Sequence, residues 1–291
     1  MAFRSPLINV MASAATKAAR GLKRDFGEVE NLQVSKKGPA DFVSVADKKA
    51  EEVLHAELSR VRPDFGFVME EGGIIEGSDK SHRWIIDPLD GTTNFLHGLP
   101  QFAISIGVER DGEIIAGLIY NPIADEMYWA EKGAGAYCND RRLRVAARKD
   151  LKECVIATGI PFHGRGDHLR FLKELGLVMR EVAGVRRFGA ASLDLAFVAS
   201  GRFDGFWETE LQSWDIAAGI ILVREAGGVV TDQRGAKKVL HAPEIVAGNE
   251  IVHEKLRRLI ERAGLPPKKP AAKKSAAKAE TPVASGPDSG E

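Results

Sequence analysis

Two cysteines in 291 residues, Cys138 and Cys154, are too few and too widely spaced for a disulfide framework or a CxxC centre. The seven histidines stand without an HExxH or a cysteine-rich neighbour, so the sequence offers no zinc site. No apolar run approaches the ~18 residues that a membrane span needs. The apolar stretch Leu7 to Met11 is broken by Asn9 and followed by Lys17, Arg20, Lys23 and Arg24, a pattern wrong for a secretory leader. Net charge is missing too: 41 Lys and Arg balance 41 Asp and Glu, so no overall field draws the chain to nucleic acid or an anionic bilayer. A cytoplasmic protein with no membrane partner is the expectation. What is present is 44% hydrophobic and 28% charged residues, the balance of a globular protein with enough chain for one large core or two fused ones.

Periodicity supplies the elements. Ser5-Pro6 reads as an N-cap with proline at the first helical position, and Leu7, Met11, Ala14, Ala18, Leu22 and Phe26 follow at helical spacing. A second helix is expected from near Ser44 to just before Pro63, after a loop over Lys36-Lys-Gly-Pro-Ala-Asp41. Short strands follow at Trp84–Ile86, Ala103–Glu109 and Glu113–Tyr120, the last two joined by an Asp-Gly hairpin turn, with further strands at Glu126–Ala130 and Cys154–Thr158. The second half alternates: helices at His168–Val182, Ser192–Ser200, Ile216–Ala226 and Val252–Ala263, strands at Val185–Phe188, Phe203–Trp207, Gly228–Thr231 and Ile245–Ala247. This predicts layered α and β structure with two sheets rather than one barrel. Residues 266–291 carry no aromatic and no period, only Pro, Ala, Lys, Ser and Gly with a few acids and single Thr and Val residues, and are expected to be a disordered tail.

Chemistry concentrates where Asp87 and Asp90 flank Pro88-Leu89 after the apolar Trp84-Ile-Ile. Proline bends the chain and lets carboxylates three residues apart converge. Converging carboxylates repel unless a cation lies between them, and hard oxygen donors of this kind suit Mg²⁺. The following Gly91-Thr92-Thr93-Asn94 would open a short helix and offer N–H groups to a phosphate. Asp-Pro-x-Asp-Gly also reads as a plain turn. Asp47 closes an S-x-x-D capping box, Asp215 precedes an apolar helix as an N-cap or first-turn acid would, and Glu208 could be the exposed end of a strand. Trp84, Trp207 and Trp214 read as core.

Trp84-Ile-Ile-Asp-Pro-Leu-Asp-Gly-Thr-Thr-Asn-Phe95 resembles the first signature of the inositol monophosphatase family, and Trp214-Asp-Ile-Ala-Ala-Gly219 with Glu225-Ala-Gly-Gly228 resembles the second. Met69-Glu-Glu-Gly72 is similar to an upstream Gly-Glu-Glu-Ser, from which Met69 and Gly72 depart, and Asp41-Phe-Val-Ser-Val-Ala-Asp47 also matches a family segment. The likeness runs through roughly residues 7 to 262. It implies an α/β (layered α+β) sugar-phosphatase-like fold of alternating αβαβα layers with two sheets. It also implies a catalytic domain over residues 1–265, with an N-terminal α+β part over about 1–150 and a C-terminal α/β part over 151–265.

By the same resemblance, Glu70, Asp87 and the Leu89 carbonyl hold one Mg²⁺, while Asp87, Asp90 and Asp215 hold another, in a set of two or three ions. Thr92 paired with Asp47, together with Glu70, orients the attacking water, and the Gly91 and Thr92 N–H groups hold phosphate oxygens. Ala191, in the loop Gly189-Ala-Ala-Ser192, Glu208 and Asp215 face the substrate hydroxyls. The implied activity is lithium-sensitive hydrolysis of a small alcohol phosphate, inositol monophosphate first, by a homodimer. Fructose 1,6-bisphosphate, histidinol phosphate and 3′-phosphoadenosine 5′-phosphate are alternatives, because Thr158-Gly-Ile-Pro-Phe-His163 departs from the serine-containing segment of animal members. A role beside the RNA and transcription machinery is the reading of another class. Its one sequence cue is weak contact of nucleic acid with the five tail lysines.

Overall fold

The computed structural model describes residues 4–26, 34–36, 42–161, 164, 166–242 and 244–264. The chain runs through α1 (Pro6–Phe26), β1 (Val34–Lys36), β2 (Phe42–Ser44), α2 (Val45–Val61), β3 (Phe65–Met69), β4 (Gly73–Ile75), β5 (Asp79–Asp90), α3 (Thr92–Leu96), β6 (Ala103–Arg110) and β7 (Glu113–Asn121). It continues as β8 (Glu126–Glu131), β9 (Gly135–Cys138), β10 (Arg141–Arg142), β11 (Val155–Thr158), α4 (His168–Val178), β12 (Gly184–Arg186) and α5 (Ala191–Ala199). The last elements are β13 (Gly205–Thr209), α6 (Ser213–Glu225), β14 (Val229–Thr231), β15 (Glu244–Gly248) and α7 (Glu250–Ala263).

Period-2 alternation in the central strands decides which layers meet. An eight-stranded sheet of order β10-β9-β8-β7-β6-β5-β3-β4 is antiparallel except between β3 and β5. In β5, Trp84 and Ile86 point into a core shared with α1 and α2, while Ile85 points the other way, toward α5 and α6. The second sheet, β12-β11-β13-β15-β14, repeats the arrangement. Ala157, Phe206, Ile245 and Ala247 meet α5 and α6; Ile156, Trp207 and Val246 meet α4 and α7. The layers are therefore α1/α2, sheet, α5/α6, sheet, α4/α7, the αβαβα order that the family resemblance implied.

Local detail follows the sequence with instructive shifts. The buried stripe of α1 centres on Ile8, Met11, Ala15 and Leu22, with Leu7 only half-buried. The β6–β7 turn places Asp111 at φ 52 and Gly112 at φ 81, the left-handed pair that an Asp-Gly hairpin provides. Most of the Lys36–Asp41 loop, Phe162, His163 and residues 265–291 lie outside the described residues. No helix among the described residues is long and apolar enough to cross a membrane.

Candidate active site

The aspartate pair lies within β5, in its last turn of pleat, rather than beyond the strand's end. Asp87 pairs with Ser105 of β6 and Asp90 with Ala103, so one residue more is threaded on β5 than on its partner. Pro88 and Leu89 form this bulge, a place where a strand tolerates a proline because a ladder N–H is not needed. The bulge curls the chain until the Leu89 N–H donates to Asp87 Oδ1 at 2.9 Å. Asp87 is 2% exposed and Asp90 9%.

At Asp90, the Oδ2 atom accepts from the Ser192 N–H at 2.7 Å and from the Ser192 hydroxyl. These donors sit on the first turn of α5, so the carboxylate joins the two halves of the sequence. Burial pushes Asp90 up to about 6, opposed by the Ser192 donors and by the backbone of Ala191 and Leu193. Asp87 lies well above the ordinary carboxylate range: burial contributes most, followed by the charges of Glu70, Asp90, Asp215 and Asp47. Every one of these influences opposes ionisation, and a nearby positive charge would act in the opposite sense.

Gly91 follows with φ 93, and a Cβ there would stand 2.8 Å from the Gln101 carbonyl oxygen, so the turn into α3 requires glycine. The Thr92 hydroxyl donates to the Leu89 carbonyl at 3.0 Å, the oxygen expected to ligate a metal, rather than to Asp47. Asn94, buried, donates from Nδ2 to Gln101 O and Phe188 O at 2.7 Å each. It latches this segment to the loop that carries Gly189 and Ala191.

The remaining acids arrive from separate elements. Asp47 is buried in the first turn of α2. Glu70 leaves the end of β3 with its N–H on Ile86 O at 3.3 Å. Of the Glu70-Glu71 pair, Glu70 is the one whose charge bears on Asp87. Asp215 is a first-turn acid of α6, with Oδ2 accepting the Gln212 N–H at 2.7 Å, so the helix-start reading and a place near Asp87 hold together. The Glu208 carboxylate lies against Gly159, where an added Cβ would meet Oε1 at 1.8 Å. A cleft of about 720 Å³ is lined by Glu70, Asp90, Thr92, Ala191, Glu208 and Asp215, within the ~300–1,000 Å³ typical of small-molecule sites. Trp84 and Trp207 are fully buried and Trp214 is half-buried; Trp207 and Trp214 both border the cleft.

Among the described residues, no three His, Cys, Asp or Glu side chains already stand as a closed ligand group. One oxygen each of Asp87, Asp90 and Asp215 accepts from an N–H or O–H donor. The donor chemistry nonetheless fits a hard divalent cation: buried carboxylates whose mutual repulsion is uncompensated by the groups bearing on Asp87. Two polar residues escaped the sequence reading. Ser192 gave no cue tying it to Asp90, 102 residues away. Asp194, 1% exposed with Oδ1 unpartnered, did leave one: it is the lone charged residue in the apolar α5. Its carboxyl is raised well above the usual range by burial, then by Glu208 and Asp90.

The family model for the inositol monophosphatase family matches residues 4–265. The chain belongs to the inositol monophosphatase family. It is 60% identical over 259 residues to an inositol-1-monophosphatase of Mesorhizobium japonicum, covering 89% of this chain and 97% of the relative. It is 41% identical over 244 residues to the Nus factor SuhB of Escherichia coli, covering 84% and 91%. The crystal structure of the extragenic suppressor protein suhB from Bartonella henselae superposes with a TM-score of 0.87 at 59% identity, over 90% of this chain and all of that one. As an inositol monophosphatase family member, the protein is a phosphomonoesterase acting on a small phosphorylated substrate, in a family that is generally metal-dependent.

Proposed function

We propose that the protein hydrolyses myo-inositol monophosphate, or a closely similar small alcohol phosphate, with Mg²⁺ held by Glu70, Asp87, the Leu89 carbonyl, Asp90 and Asp215. The observation that carries this reading is the convergence of Glu70, Asp90, Asp215 and Asp47 on the buried Asp87 beside the cleft. Bound there, two or three Mg²⁺ ions would lower the pKa of an attacking water and neutralise charge on the phosphoryl and leaving oxygens.

The chain's own groups do the rest. Gly91 and Thr92 present backbone N–H groups to the phosphoryl oxygens. Asp47, Glu70 and the Thr92 hydroxyl orient the water; for Thr92 this requires its hydroxyl to leave Leu89 O, where it now donates. Glu208, Asp215 and the Ala191 backbone bind hydroxyls of the alcohol, so a polyol is favoured over a simple alkyl phosphate. Burial of Asp87 and Asp90 keeps bulk water from screening these charges.

The test is phosphate release from inositol monophosphate, fructose 1,6-bisphosphate, histidinol phosphate and 3′-phosphoadenosine 5′-phosphate, with and without Mg²⁺. Outer partners of metal ligands are worth about 10–100-fold, so Asp87→Asn, at a shared ligand, is expected to lose at least ~100-fold in kcat. Near-full turnover in that variant sinks the mechanism. By family likeness we also assign a cytoplasmic homodimer inhibited by Li⁺, testable by light scattering and by Li⁺ titration of turnover.

A second reading draws on the 41% identical Nus factor SuhB: a role in the transcription machinery, with the Lys-rich residues 266–291 touching RNA. The retained carboxylate set favours hydrolysis, since a purely binding protein gains nothing from their repulsion. Removal of residues 266–291 is expected to leave kcat/KM unchanged, and a large loss would show that the tail serves the active site.

A further inference from the structure

Glu51 is a buried acid that the chemistry above does not use. It lies on α2 one turn after Asp47, on the same face, and is 6% exposed. Its Oε2 atom accepts the Glu71 backbone N–H at 2.9 Å. The Glu70 N–H, one residue earlier, donates to Ile86 O on β5. The peptide groups on either side of the Glu70 side chain are therefore tied to different elements, one to β5 and the next to α2. The neighbouring Gly72 is not in the left-handed region, so what it supplies is room. A Cβ there would stand 3.0 Å from Glu51 Oε1 and 2.8 Å from the Met69 Cε methyl. Met69 and Gly72 are the two positions at which this segment departs from the family pattern. Here the long Met69 side chain fills space beside Glu51 that Gly72 leaves open.

We propose that Glu51 is a positioning residue: by holding the Glu71 amide it fixes the backbone so that Glu70, and not Glu71, faces the cation site. The contact holds the backbone after Glu70 in place, and so aims the Glu70 side chain before a cation arrives. The inference rests on Glu70 being a cation ligand, as proposed above. Losing an outer partner of a ligand weakens metal binding by about 10–100-fold.

The experiment measures Mn²⁺ binding to the full chain without substrate, by the electron paramagnetic resonance signal of free Mn²⁺, alongside thermal melts and KM at saturating Mg²⁺. Glu51→Ala is expected to bind Mn²⁺ about tenfold or more weakly, with KM for the phosphate ester little changed. Glu51→Gln, whose carbonyl oxygen accepts the same N–H, should stay close to wild type. Gly72→Ala, which leaves Glu51 in place but crowds it, should weaken Mn²⁺ in the same way. Wild-type Mn²⁺ affinity in Glu51→Ala, or in Gly72→Ala should Glu51→Ala not fold, overturns the proposal. Equal damage in Glu51→Gln and Glu51→Ala also overturns it, because charge rather than the N–H contact would then be what matters. Glu70→Gln is the control: if it alone binds Mn²⁺ weakly, the ligand assignment stands and the role of Glu51 falls. If Glu70→Gln binds normally, the ligand assignment itself falls.

Discussion

Asp87 and Asp90 hold their protons more tightly in the folded chain than an unfolded carboxyl, at about 3.9, would. Without a divalent cation, their contribution to stability is present below that value and is lost as pH rises, that of Asp90 through its folded value of about 6. Melts in Mg²⁺ and in a chelator should therefore diverge increasingly from pH 4 to 7, the chelated protein being the less stable; parallel curves would mean that these carboxylates bind no cation. His253 behaves in the opposite sense. Its Nε2 atom lies 2.8 Å from Thr231 Oγ1, and burial, then Arg257, holds its pKa below the usual value. The neutral form is the one the fold accepts, so the stability it contributes is present above about pH 6.5 and lost as pH falls. A His253→Gln chain should lose less stability than wild type between pH 7 and 5 in urea titrations. Of these residues the sequence marked Asp87 and Asp90 through their motif, but left His253 among seven scattered histidines, because burial is a property of the partner strand rather than of the residue.

Among elements, α3 and the segment around it show how much one side chain can hold. Replacing Asn94 by Ala strands the carbonyls of Gln101 and Phe188, each bonded at 2.7 Å. An unsatisfied buried group costs about 1–3 kcal/mol, so Asn94→Ala should lower the urea midpoint by a stability of that size and raise KM as the Gly189–Ala191 loop loosens. An unchanged midpoint would show that water replaces the amide. The helices were legible because apolar stripes and caps are local. The strands β1, β2, β3, β4, β9 and β10 were not: β1 and β2 have three residues each, Phe65-Gly-Phe-Val-Met69 has glycine at its second position, β4 is exposed throughout, and β10 has two residues. Nor was the bulge at Pro88-Leu89 legible, since a proline argues against a continuing strand unless the partner's register is known.

At the scale of the whole molecule, alternating α and β segments foretold two layered sheets and the family resemblance implied the five-layer order, while the continuity of the middle layer was not legible. One apolar core runs from Ile85 and Tyr128 in the first sheet through α5 and α6 to Phe206 and Ala247 in the second. The acids gathered around Asp87 come from α2, the turn after β3, β5 and α6, so no short stretch of chain contains the site. The bond between Asp90 and Ser192 spans 102 residues, and that between Asn94 and Phe188 spans 94. A ribosome delivers these partners in order, and long-range pairs form late because closing the loop between them costs entropy before any contact repays it. Of the acids that bear on Asp87, only Asp215 belongs to the late-made part of the chain; Asp47, Glu70 and Asp90 all precede residue 91, so α6 completes a cluster that the first third of the sequence has already begun.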